Sequence, residues 1–314
     1  MEHNKRTRSE NFFGWVKNLF WLFLFISVAP SLLSGLRTTL EELIFPKVHV
    51  GCLTINGSIN DASFYIKKID EFSKASDIKA LLLKINSPGG YSGSCNVIFN
   101  ELLRFKKNKP IVAVIENAGA SGAYYIAATA NTIIAAPLSV VGSIGVFMEL
   151  PNVKELLSSW KVDYRYVQSG EYKTAGSAVK ELSAKELTYL QALTDAQYQQ
   201  FVSDIAQCRN LDLKNEKVWA NGRVFSGHQA HELKLIDKLG SLSDGVDELK
   251  RLLKTDEELR FVHAKKVKGL MRFLSEDDDF GHDSMSLSDS VASFVSSVYQ
   301  KCTFQQQACV QSRL

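Results

Sequence analysis

Histidine is missing from the middle of this chain: of His3, His49, His228, His231, His263 and His282, none falls between positions 49 and 228. A serine triad would have to recruit His228 or His231 through the fold, which stays open because triads are spatial. No Cys-x-x-Cys or His-x-x-x-His spacing occurs, so no metal site is expected. The 5 cysteines leave at least one unpaired. Cys52 and Cys95 fall in a predicted strand and helix, where a free thiol acts as a small buried hydrophobe. Cys302 and Cys309 are close in sequence and could pair in an oxidising compartment, which spacing alone does not decide. A net charge of +3 and the lack of a basic stripe with interleaved aromatics argue against a nucleic-acid partner. No internal repeat of solenoid period is visible.

The N-terminus, by contrast, is rich in one thing. Lys5, Arg6, Arg8 and Lys17 precede an apolar run from Leu19 to Leu36. That run is at the short end for crossing a hydrocarbon core of ~30 Å. Phe12, Phe13 and Trp15 extend it toward the interface, and the basic flank favours a cytoplasmic N-terminus. No Ala-x-Ala cleavage site follows, so an uncleaved anchor is expected rather than a removed signal peptide. The expected organisation is a short cytoplasmic segment (1–18), a transmembrane anchor (19–36), one catalytic domain (46–255) and a C-terminal extension with an acidic linker (256–314).

Beyond the anchor, strand and helix patterns alternate. Val48–Ile55, Ile78–Ile85, Pro110–Ile115, Thr132–Ala136 and Val162–Val167 read as strands. Ala62–Ser73, Ser94–Phe105, Ser121–Ala130 and Val153–Trp160 read as helices between them. This order predicts an α/β fold with buried parallel strands. Ser183–Arg209 is a long amphipathic helix, with Leu187, Leu190, Leu193, Tyr198, Phe201, Val202 and Ile205 near one face. A last helix rich in Leu and charge begins near Ser243. An acidic run, Glu276–Asp279, marks a linker, and Val291–Tyr299 suggests a short amphipathic helix.

Three segments carry chemistry. Asn86-Ser87-Pro88-Gly89-Gly90 closes an apolar strand and opens a helix. Its paired glycines leave N–H groups unshielded, as a developing oxyanion requires. Without a Gly-Lys-Ser/Thr tail it is not a phosphate loop. Ser121 stands at the next strand-to-helix junction among Ala118, Gly119, Ala120, Gly122 and Ala123, where a substrate backbone can approach closely. Taken alone, a serine there is a helix N-cap. Lys173, in Gly170-Glu171-Tyr172-Lys173, is an ordinary solvated charge by itself, or a general base if held neutral.

Taken together with Val141–Val146, Ala220–Val224 and Leu235–Gly240, these blocks resemble signal peptide peptidase A, the membrane-anchored serine peptidases of the S49 type. The resemblance covers about residues 46–255. It implies a Clp protease/crotonase-like spiral of ββα units. Ser121 then matches the nucleophile, Lys173 the general base, and Gly90 and Gly122 the oxyanion-hole positions. No cofactor is implied. The chain is similar to half-length members, which implies a homo-oligomeric ring on the membrane whose active sites combine serine and lysine from neighbouring subunits. The implied substrates are released signal peptides. The implied location is a bacterial inner membrane, crossed once, with the catalytic domain on the periplasmic side. Ala123 for a usual glycine, Ala178 for a usual proline and Lys234 for a usual glycine depart from the family pattern. Two other readings stay in view: a crotonase-like acyl-CoA enzyme and a non-catalytic membrane scaffold.

Overall fold

The computed structural model describes Trp15, residues 19–30 and residues 47–264. Residues 19–30 are helical and largely exposed. Among the described residues, no helix is long and apolar enough to cross a membrane. The rest of the expected anchor, the acidic linker, the helix expected at 291–299, and Cys302 and Cys309 lie outside the described residues.

Residues 47–264 build a mixed α/β domain around a largely parallel sheet. Its strands are β1 (Val48–Asn56), β2 (Ile78–Ser87), β3 (Ile111–Ala120), β4 (Thr132–Ala135), β5 (Val140–Gly142), β6 (Val224–Ser226), β7 (Lys238–Leu239) and β8 (Leu259–His263). The main path runs β6-β5-β3-β2-β1-β8. Every pairing is parallel except β5 with β6. Strand β3 branches. Its first half, Val112–Ile115, pairs with β4, and its last residues, Ala118–Ala120, pair with β5.

Period-two alternation divides the apolar strand residues between two faces. Leu53, Ile55, Leu81, Leu83, Ile85, Ile111 and Ile115 point to one core. It is covered by α1 (Ser63–Lys74), α2 (Ser92–Lys106), α3 (Gly122–Ala127) and the C-terminal half of α5 (Ala184–Arg209). Val50, Cys52, Ala80, Leu82, Val112, Val114 and Ile134 point to the other face, where Leu249 of the C-terminal helix Leu242–Leu253 closes a smaller core. Burial on both faces explains why these strands read as continuous apolar runs.

The chain between β5 and α5 departs from expectation. No strand forms at 162–167, and the only helix there is α4 (Lys154–Ser159). Tyr164, Tyr166 and Val167 have strand propensity, but no neighbouring strand among the described residues meets them. A lone strand leaves its backbone unpaired. Phe147, Trp160, Tyr164 and Val167 are exposed along this arm. The first half of α5 is also largely exposed, with Leu190 its buried apolar side chain. Its capping box at Ser183 and Glu186 starts the helix, yet Leu187 and Leu193 are exposed while Phe201, Val202 and Ile205 are buried. The sheet continues past residue 255, because β8 pairs with β1.

Two packing details decide stability. Helices α2 and α3 meet where Cys95 lies against Gly122, so closely that a Cβ at 122 would overlap the Cys95 sulfur, while the Cys95 Cβ would stand 3.1 Å away. Buried Glu248 accepts bonds from Thr132 (2.8 Å), Lys238 (2.6 Å) and Arg251 (2.7 Å). The Arg251 guanidinium, with Lys238 and Thr132, outweighs burial and depresses its carboxyl from 4.5 to about 2.

Gly122→Ala is expected to destabilise the protein by about 2 kcal/mol through overpacking. Cys95→Ala in the same chain should recover a good part of that loss, a coupling measurable by urea unfolding of the four proteins of the cycle. Independent effects of the two substitutions would contradict the contact. At neutral pH, Glu248→Gln should unfold about 2 kcal/mol more easily than the native chain. A depressed carboxyl contributes stability above its unfolded pKa and loses it on protonation in the fold. The gap between the two proteins should therefore narrow as pH falls from 4.5 toward about 2, and a gap that stays constant across this window would refute the assignment.

Candidate active site

Ser121 leaves β3 in a backbone conformation that side chains rarely adopt, φ 52° and ψ −126°. Such strain costs about 1–3 kcal/mol and persists only where the surroundings hold it. Here its N–H donates to the Gly142 carbonyl of β5 at 2.7 Å, and its carbonyl accepts the Tyr125 N–H at 3.0 Å. The side chain makes no capping bond to α3. The N-cap role that a serine in this position ordinarily takes is thus unfilled, and the partly exposed hydroxyl has no acceptor or donor among the described residues.

The Gly89-Gly90 turn lies directly beside it. Gly89 takes φ 104°, and its N–H is held by the buried Ser87 hydroxyl at 3.1 Å. Ile59 straps the loop from the other side: its N–H reaches the Gly89 carbonyl at 2.9 Å, and its carbonyl accepts the Tyr91 N–H at 3.0 Å. A Cβ on Gly90 would overlap that Ile59 carbonyl, so only glycine fits. The position of a Cβ on Gly122 is 3.5 Å from the Gly90 nitrogen, which places the two backbones side by side. Neither the Gly90 nor the Gly122 N–H has an acceptor among the described residues. The Ser121 N–H, by contrast, is engaged by the Gly142 carbonyl.

These groups open onto a cavity of about 290 Å³. Ser121, Gly90, Gly122 and Cys95 line it together with Tyr125, Val146, Phe201, Asn96, Gln197 and Gln200, and Ser92, Gly93 and Gly145 complete the lining. Tyr125 is wedged between Phe99, stacked at 4.1 Å, and Phe201, edge-on at 4.9 Å. The volume is at the lower end for a ligand pocket and matches one large side chain rather than a nucleotide-bearing cofactor. Three side chains of nucleophilic type line it: Cys95, Ser92 and Ser121. Burial pushes the Cys95 thiol up to about 12, which keeps it protonated and inert. Of the two serines, Ser121 is the one in strained backbone and next in the chain to Gly122.

No charged residue lines this cavity. None of the described histidines lines it either, so the His228 or His231 triad left open by the sequence does not assemble within the chain. His228 pairs with Glu232, and His231 lines a separate surface hollow with Arg209 and Lys234. Lys173 is also absent from the lining. It rides on an exposed turn between Gly170 (φ 100°) and Gly176 (φ 79°), fastened by Gln168 to Thr174 (2.7 Å) and Tyr166 to Ser177 (2.5 Å). Its ammonium group has no partner among the described residues. Of the four residues singled out in the sequence, the fold brings Ser121, Gly90 and Gly122 together and leaves Lys173 outside.

Asn96, Gln197 and Gln200 escaped the sequence reading, and Cys95 was read there only as a buried hydrophobe, not as a cavity residue. A signal was present for the two glutamines: Gln197, Gln200, Phe201 and Asp204 follow at intervals of three and four along α5, and thus share one face.

Comparison with known proteins bears on the same segment. The chain is 33% identical over 192 residues to MJ0651 of Methanocaldococcus jannaschii, provisionally named a protease, covering 61% of this chain and 62% of that protein. It is 36% identical over 187 residues to a protein of Enterococcus faecium, provisionally named signal peptide peptidase SppA, covering 59% and 54%. It is 30% identical over 197 residues to the chloroplastic serine protease SPPA of Arabidopsis thaliana, covering 62% and 29%. The chain thus spans less than two thirds of the length of these relatives. Residues 104–256, which include Ser121, Lys173 and the α5 wall of the cavity, match the family model of Peptidase family S49. This segment belongs to peptidase family S49.

Proposed function

We propose that the protein is a serine endopeptidase whose nucleophile is Ser121, whose oxyanion hole is the Gly90 and Gly122 N–H pair, and whose general base is Lys173 of a second copy. The observation that carries this reading is the strained, unbonded Ser121 hydroxyl set beside two free N–H groups at the mouth of a cavity the size of one side chain. In the reaction, the Lys173 amine takes the hydroxyl proton as the oxygen attacks the peptide carbonyl. The N–H pair holds the resulting oxyanion. The proton then passes to the departing amine, leaving an ester on Ser121, and water activated by the same lysine releases the acid.

Supply of the lysine from a neighbour is supported by what one chain lacks. A lysine amine accepts a proton only when neutral, a form that burial favours. Lys173 is exposed here, so the surface that brings it to Ser121 must also cover it. The arm that carries it displays Phe147, Trp160, Tyr164 and Val167, an apolar area suited to another protein surface. We infer a homo-oligomeric ring on that basis and on the family resemblance. The fold reading that accompanies it is the Clp protease/crotonase-like spiral, supported by the parallel strand–helix succession through β1 to β4.

The substrates we assign are released signal peptides. The apolar walls of the cavity, the apolar segment from Leu19 to Leu36 and the name given to the Enterococcus faecium relative support this class. The location that follows is a bacterial inner membrane, crossed once by 19–36, with the domain on the periplasmic side. An acyl-CoA reading fits the cavity less well, since no cation lines it to meet the phosphates of such a ligand. A scaffold reading gives the strained serine no role.

The test uses the full chain in detergent and a fluorogenic peptide. Ser121→Ala and Lys173→Ala should each lower kcat at least 100-fold. Near-native turnover in either variant would sink the dyad. Co-assembly of the two inactive variants should restore part of the activity, because some interfaces then pair an intact Ser121 with an intact Lys173. Full loss in the mixture, with intact assembly, would place both groups in one chain instead.

A further inference from the structure

Lys173 lies on an exposed turn, yet the two residues before it are fastened to a helix. Lys185 and Tyr189 stand four apart on α5 and so share one of its faces. The Tyr189 ring lies 4.7 Å from the Tyr172 ring, tilted by 31°. The Lys185 amine pairs with the Glu171 carboxylate and stands 5.9 Å over the Tyr172 ring. Its bond to Glu171 raises the Lys185 amine above its usual range, which keeps it charged. Glu171 is the carboxylate nearest to Lys173 in sequence, and Lys185 occupies it.

The turn is also closed from within. The Gln168 amide nitrogen donates to the Glu171 carbonyl at 3.2 Å, and its oxygen accepts from the Thr174 hydroxyl at 2.7 Å. One side chain thus spans Tyr172 and Lys173. The Lys173 N–H donates to the Gly170 carbonyl at 3.2 Å. At the far end, a Cβ on Gly176 would stand 3.1 Å from the Leu150 side chain and 3.5 Å from that of Leu190, the residue after Tyr189. The helix then runs on to the cavity: Phe201, one of its walls, follows Tyr189 by a little over three turns, about 18 Å.

An exposed ion pair alone holds little. Here it acts beside a ring contact, on adjacent residues and against a single helix face. The effect matters because a lysine stem is flexible. A turn that wandered as well would spread the amine over a wide volume and lose the proximity a proton transfer needs.

We propose that Tyr189 and Lys185 are positioning residues for Lys173: the Tyr172–Tyr189 rings and the Glu171–Lys185 pair mount the turn on α5 and so set where the amine stands when it meets the serine. The inference rests on the peptidase reading for the role of Lys173 as base. Neither residue touches the reacting atoms.

The test uses the full chain in detergent, with a fluorogenic peptide for turnover, hydrogen exchange for the turn and native mass for assembly. Tyr189→Ala and Lys185→Ala should each lower kcat at least about tenfold and leave KM within about twofold. Tyr189→Phe keeps the ring and Lys185→Arg keeps the charge, so both should retain kcat within about threefold. Exchange of the Lys173 and Ala175 amides should quicken at least about threefold in the two alanine variants and stay native in the conservative ones. Unchanged exchange in both alanine variants overturns the proposal. Faster exchange with native kcat, where Lys173→Ala is inactive, overturns the positioning role. A loss of turnover that only follows a loss of assembly does so too. If Lys173→Ala itself turns over at the native rate, the base assignment falls, and the exchange rates alone decide whether α5 holds the turn.

Discussion

The site depends on two places where backbone meets its neighbour with no room for a Cβ. At Gly90 the obstacle is the Ile59 carbonyl, and at Gly122 it is the Cys95 sulfur. Interiors packed to crystal-like density resist even small volume changes. Here that resistance fixes the positions of two N–H groups relative to each other. Ile59 and Ser87 pin the loop on one side, and the contact of α2 with α3 pins it on the other. Ser121 sits between these fixed points, and its unusual backbone angles follow from them. Strain at one residue is tolerated because its N–H and carbonyl are both committed, to Gly142 and Tyr125.

Much of this was readable before any coordinates. Buried parallel strands such as Ile78–Ser87 announce themselves as apolar runs because both faces are covered. The glycine pair at 89–90 and the small residues around Ser121 have a direct steric meaning. Short strands such as β5, β6 and β7 were not legible, since two or three residues carry no period and owe their form to long-range pairing. The strand expected at 162–167 failed for the complementary reason: propensity without a partner does not make a sheet. The amphipathic stripe of α5 was visible, but the point along the helix where it leaves the core was not. The polar wall around Tyr125 is a tertiary product of α2, α3 and α5, and only the spacing on α5 hinted at it.

Apolar residues on the arm and on the first half of α5 stand in water, while the sheet beneath is closed on both faces. The domain therefore divides its hydrophobic surface between a core satisfied within the chain and a periphery that is not. Ser121, Gly90 and Gly122 belong to the first part, and Lys173 belongs to the second. A division of this kind separates folding from competence. In the proposed reading, the core supplies Ser121 and its neighbouring N–H groups, and Lys173 acts only once the periphery is covered.

The root of the arm has a mechanical consequence. Three successive residues are tied down as the chain leaves the sheet: the Gly142 carbonyl to Ser121 at 2.7 Å, the Ser143 N–H to the Arg223 carbonyl at 2.8 Å, and the Ile144 carbonyl to the Gly222 N–H at 2.9 Å. Force applied farther along the arm meets all three bonds before it reaches the serine. The arm behaves as a cable clamped at its entry, free to be dragged or re-seated outside while the terminal inside stays still. The serine can keep its geometry while the segment bearing Lys173 moves.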